Sequence, residues 1–167
     1  VKIGEIIDST PTANWVITIP KVLAIFTVLL LINLVGMCTG LVFQLIKGAS
    51  EFGIASYFSW FIVPVTVDML LIAILAVFFQ ALSPNKYVGW GLFLVWFIVG
   101  IFLNNMGYSN ALYRYAGTPA EPLSDMNGTG GFAYGAWVLR SYWLAFGIIL
   151  LVVAHLVWPR GTDARWR

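Results

Sequence analysis

The sequence predicts an all-α fold: a polytopic transmembrane helical bundle of four spans, preceded by an interfacial amphipathic segment and carrying a long outer loop between spans three and four. Three observations predict it. Of 167 residues, 60% are hydrophobic and 16% aromatic, while only 10% are charged, against about a quarter in soluble domains. Four apolar stretches, Val22 to Ile46, Ile54 to Leu82, Val88 to Leu103 and Ser141 to Trp158, contain one formally charged side chain between them, Asp68. A hydrocarbon core of about 30 Å takes roughly 20 helical residues at about 1.5 Å each, and the stretches meet that length directly or by extending into their flanks.

Along the chain, Ile3, Ile6 and Ile7 share one helical face while Lys2, Glu5 and Asp8 occupy the other, an interfacial pattern. Thr10 and Pro11 read as an N-cap and first helical residue of a helix through Asn14 and Trp15. Pro20 and Lys21 mark the entry into the membrane. On the first span, residues 22–46, the small and polar residues Asn33, Gly36, Gly40 and Gln44 recur every three or four positions. They form one face, expected to meet protein, with Gly36 and Gly40 as a GxxxG pair that lets a neighbouring helix approach closely. The second span, 54–82, is the longest, and Pro64 predicts a kink one turn before Asp68. The third borrows Tyr87 and Asn104 to Met106 to reach 87–106. The fourth is expected near Ala136, covering 136–158, with Arg140 snorkelling outward.

Positive charges set the orientation. With the N-terminal segment cytoplasmic, Lys2, Lys21, Lys86, Arg160, Arg165 and Arg167 fall inside, and Lys47, Arg114 and Arg140 outside. The excess of inner lysine and arginine favours both termini in the cytoplasm. Aromatic belts agree, with Trp15, Trp90 and Trp158 at the inner interface and Trp60, Trp137 and Trp143 at the outer one.

The whole chain reads as one membrane domain, residues 1–167, whose surroundings are lipid and other transmembrane subunits. A net charge of +2 with no basic stripe argues against nucleic acid. The one cysteine, Cys38, excludes an intrachain disulfide and a thiolate metal site. The lone His155 is read as an interfacial anchor. No Ser/His/Asp set, phosphate loop or HExxH occurs, so neither a catalytic centre nor a cofactor or metal site is expected. The chain opens on Val1 without the pattern of a signal peptide, and is read as an excerpt or processed product.

Asp68 lies near mid-membrane, where an ionised carboxylate costs about 2.5 to 3.5 kcal/mol. It is therefore protonated or partnered, and Asn33, at similar depth, is the first partner to test. A structural contact, a polar pathway and proton transfer all remain open. The outer loop, 104–134, holds Ser124, Asp125, Met126, Asn127 and Gly128. An Asn-Gly turn is favoured there over a calcium site, which lacks a closing glutamate. Asn127 to Thr129 also matches a glycosylation acceptor.

Several motifs resemble a known family. Glu5-Ile-Ile-Asp-Ser-Thr-Pro11-Thr-Ala-Asn-Trp15, followed by Pro20-Lys21, resembles the cytoplasmic coupling segment of ABC-type exporter permeases. Asn85-Lys-Tyr-Val-Gly89, Leu112-Tyr-Arg-Tyr115, Ser124-Asp-Met-Asn-Gly128 and Tyr142-Trp-Leu-Ala-Phe146 resemble the permease portion of bacterial permease/zinc aminopeptidase fusions. The resemblance implies the last four of about six spans in a permease half of the bacterial inner membrane. It implies that Glu5, Asp8, Pro11 and Trp15 face an ATPase subunit and that Asn104 to Tyr134 form an outer re-entrant region. It assigns nothing to Asp68. A non-catalytic accessory subunit of a larger membrane complex is the alternative, and an ion conduit around Asp68 a third.

Overall fold

The structure is a computed structural model and describes residues 14–48, 53–108, 110–119, 121–122, 128 and 131–157, with backbone alone at 14, 15, 17 and 18. Glu5, Asp8, Pro11, Ser124, Asp125, Met126, Asn127 and the side chain of Trp15 lie outside the described residues. Four helices carry the fold: α1, Asn14–Ile46; α2, Ile54–Leu82; α3, Lys86–Asn105; and α4, Phe132–Val157. Each is long and apolar enough to cross a membrane, and the chain is a multi-pass membrane protein.

Local chemistry sets the ends of these helices. Ser83 and Pro84 stop α2, and the Asn85 side chain caps α3 by accepting from Val88 N at 3.1 Å. At the other end of α3, Gly107 adopts φ +91. There Tyr108 N donates to Leu103 O at 3.0 Å and Gly107 N to Asn104 O at 3.2 Å. That pair of bonds is a Schellman motif and satisfies the last carbonyls of the helix. Pro64 leaves α2 unbroken, because five residues just upstream of it, Phe58–Ile62, widen into a π-helical stretch. Widening moves the chain away from the ring-to-carbonyl clash and the missing N–H that an interior proline creates.

α2 is the hub. α1, α3 and α4 each pack along it, whereas α1 and α4 touch only briefly. The α1–α2 contacts run in opposite senses, with Asn33 against Thr66, Gly36 against Phe61 and Gly40 against Tyr57. The α2–α4 contacts rise together, Asp68 with Arg140 and then Leu71 with Gly147, so these two helices run parallel. Their seam holds the core: Ile74, Leu75 and Leu150 are buried, with Phe78, Phe79, Trp96, Tyr115 and Leu151 packed around them. Most of the remaining apolar side chains point outward. Lipid as solvent explains this inverted surface, because no water penalises it.

α4 begins at Phe132 rather than near Ala136, which puts Arg140 in its third turn. The guanidinium does not snorkel outward: Arg140 is 4% exposed. Trp143 departs from the expected outer belt as well, since it is buried and faces the loop before α4. In both cases a polar partner inside the bundle replaces the interface as the place where the group is satisfied.

Candidate functional site: an arginine held between two carboxylates

Arg140 joins three elements. Its Nε donates to Asp68 Oδ1 at 2.9 Å and its Nη2 to Asp68 Oδ2 at 3.0 Å, a two-pronged pair between α4 and α2. Its Nη1 donates to Glu121 Oε1, in the loop before α4, at 2.6 Å. The guanidinium also lies 5.2 Å from the centre of the Trp137 ring, a distance at which the ring face attracts a cation. Planar guanidinium and carboxylate groups match in geometry, so the α2–α4 register is set here as well as by the apolar seam. Two carboxylates and one guanidinium give the cluster a net charge of −1.

Asp68 is therefore partnered, and its partner is Arg140, not Asn33. Asn33, 3% exposed, instead donates from Nδ2 to Thr66 Oγ1 at 3.1 Å, with Met69 Sδ at 3.7 Å. A Cβ at Gly36 would stand 3.5 Å from the Phe61 ring, and one at Gly40 would stand 3.0 Å from the Tyr57 hydroxyl. Gln44 is half-buried at the end of this face, and its Oε1 has no partner. Gly128, with φ +56, lies against Trp60 of α2. The cluster residue to which the sequence did not point is Glu121. It is one of the few carboxylates in a charge-poor chain, yet nothing in its local pattern marks it as folding inward.

Glu121 reaches Arg140 because residues 110–119 and 121 re-enter the bundle. Asn110 caps a short 3-10 turn, Ala111–Tyr113, by accepting from Leu112 N at 3.0 Å. The chain then reverses at Ala116, φ +58, and Gly117. No larger residue fits at 117: a Cβ there would overlap the carbonyl oxygen of Ala111 and stand 2.8 Å from that of Arg114. Trp143 Nε1 donates to Gly117 O at 3.0 Å, and Gly117 N donates to Arg114 O at 2.9 Å. Irregular backbone survives at membrane depth when buried in protein with such bonds made. Tyr115 inserts furthest and meets Trp143 edge-on at 5.4 Å. Its hydroxyl stands 3.2 Å from the Cβ position of Gly147, fifteen residues, or roughly 22 Å of helix, beyond Phe132. That hydroxyl has no hydrogen-bond partner.

His155 lines an apolar groove of about 440 Å³ between α1 and α4. Among the described residues no group of three or more His, Cys, Asp and Glu side chains is placed to hold a metal. No family profile, curated protein or solved structure matches the chain. The arrangement itself can lock a re-entrant segment to two parallel helices through a single buried cation.

Proposed function

We propose that the chain is the membrane-embedded permease portion of an ATP-driven exporter, acting by rearrangement of its helices while an ATPase subunit supplies the energy. The observation that carries this reading is the re-entrant segment, residues 110–119 with Glu121, tied to α2 and α4 by Arg140. It falls within Asn104 to Tyr134, where the resemblance to exporter permeases expects an outer re-entrant region. α1 also bears on the reading, because it follows directly from the Glu5 to Trp15 segment that would meet the ATPase. A push on that segment reaches α2 through Asn33, Gly36 and Gly40, and α2 carries Asp68. On this reading the bacterial inner membrane is the location, with both termini cytoplasmic.

The test is copurification with an ATPase subunit and ATP-dependent transport in inverted vesicles. Deleting Val1 to Thr10 is expected to abolish transport while leaving the protein in the membrane. Transport that survives the deletion, with no ATPase copurifying, overturns the proposal. The closed Arg140 cluster favours a second reading, a non-catalytic accessory subunit, because both charges of the Asp68–Arg140 pair are spent within the chain. Isolation of the chain from a larger assembly lacking an ATPase would decide for that alternative.

A further inference from the structure

The two arginines among the described residues differ sharply. Arg140 holds two carboxylates, whereas Arg114, exposed at the start of the re-entrant turn, has no partner for its guanidinium among the described residues. Its aliphatic stem lies across α3, with Cδ 3.3 Å from the Cβ position of Gly100. Gly100 sits five residues before the end of α3, about 8 Å down the helix.

Two cavities meet at this side chain. Below it, a groove of about 270 Å³ runs between α2, α3 and the re-entrant turn, lined by Ile72, Phe93, Trp96, Phe97 and Ile101. Above it lies a small polar recess of about 40 Å³, bordered by Asn104, Tyr108 and Asn110. Gly100 and Arg114 belong to both. From Gly100 to Phe93 the groove descends about 10 Å along α3 into the hydrocarbon layer. The site is thus amphipathic along the membrane normal: an unneutralised cation with amide and phenol groups at the top, and an aromatic-walled apolar slot underneath.

We propose that this site binds a phospholipid, with the phosphate held by Arg114 and one acyl chain lying along α3 in the groove. Charge complementarity selects the occupant. A guanidinium near the membrane border attracts a phosphate and can grip two of its oxygens at once. Its stem snorkels over Gly100, where any side chain would push it away. A transmembrane helix of a partner would fill the slot but would leave the guanidinium unpaired unless it carried an acid at the matching depth. The inference requires only that the four helices span a bilayer, and it stands apart from the exporter reading.

The test uses the full chain in phosphatidylcholine nanodiscs doped with phosphatidylglycerol bearing a photoactivatable group on one acyl chain. Crosslinks are expected on residues 93–101. Arg114→Gln should lower that labelling roughly tenfold, the loss of one charge-assisted contact. Ile72→Trp should block it by filling the slot, and diacylglycerol with the same photoactivatable chain should label weakly. Both variants are read beside circular dichroism and elution volume, so that labelling is compared only between folded proteins. Equal labelling of wild type and Arg114→Gln, or of phosphatidylglycerol and diacylglycerol, overturns the phosphate contact. Labelling unchanged in Ile72→Trp overturns the groove, and competition by inorganic phosphate alone would make the site one for a free anion.

Discussion

Replacing Arg140 with glutamine removes the shared cation of Asp68 and Glu121 while keeping most of the side-chain length. Breaking a buried ion pair by deleting one partner costs about 3 to 5 kcal/mol, because the other charge remains without compensation. The Arg140 side chain is 5% exposed, but those of Asp68 and Glu121 are 28% and 19% exposed. The orphaned acids can therefore recover some solvation, which moves the expectation to the lower end, about 3 kcal/mol. Glu121→Gln keeps the two-pronged Asp68 pair and brings the net charge of the cluster from −1 to zero, so it should cost no more than about 1 kcal/mol. Asp68→Asn should fall between them. In a double-mutant cycle, Asp68→Asn with Arg140→Gln should show coupling of about 2 kcal/mol, well above the scatter expected of independent sites. The assay is reversible unfolding in mixed micelles of mild detergent and dodecyl sulfate, followed by ellipticity. A loss below about 0.5 kcal/mol for Arg140→Gln, or coupling indistinguishable from zero, would refute the reasoning.

Asn33→Leu removes the bond to Thr66 and should cost about 0.6 to 1.7 kcal/mol in the same unfolding assay, the range found for interhelical side-chain bonds in membranes. Gly40→Leu drives a branched side chain against the Tyr57 hydroxyl, and a loss of about 1 to 3 kcal/mol with α1 displaced is expected, checked by crosslinking between cysteines placed on α1 and α2. Gly117→Ala collides with backbone carbonyls that have no room to yield, so the re-entrant turn should open and become protease-sensitive between α3 and α4; unchanged digestion would contradict the turn geometry. Tyr115→Phe deletes a buried hydroxyl without a partner and should be neutral or stabilise by up to about 1 kcal/mol.

Much of the fold is legible locally. The bounds of the second span, 54–82, coincide with α2, and those of the third, 87–106, lie within a residue of α3, because each is closed by its own signals: Pro84 and Asn85 on one side, Gly107 on the other. The fourth span began a turn early because the residues before Ala136 are aromatic and small, with no proline to stop the helix, and an arginine at that point looks like a membrane edge. The candidate site was half legible. Asp68 was conspicuous as an acid in an apolar run, and Asn33 as an amide on a small-residue face, but their shared depth said nothing about which way each side chain turns. Rotation about the helix axis sends Asn33 to Thr66 and Asp68 to Arg140.

What the sequence by itself determined is the number and order of the membrane-crossing helices and the minimum length of each. Hydropathy adds up along contiguous residues, and the thickness of a bilayer converts that sum into a helix length without reference to any partner. Only the tertiary structure decided that α2 is the hub, that residues 110–119 and Glu121 fold back into the bundle, and that Arg140 is buried. The physical reason is distance along the chain: Arg140 lies 72 residues from Asp68 and 19 from Glu121. A cation's burial is settled by whether carboxylates from those remote segments reach it, since without them the same arginine would extend to the interface.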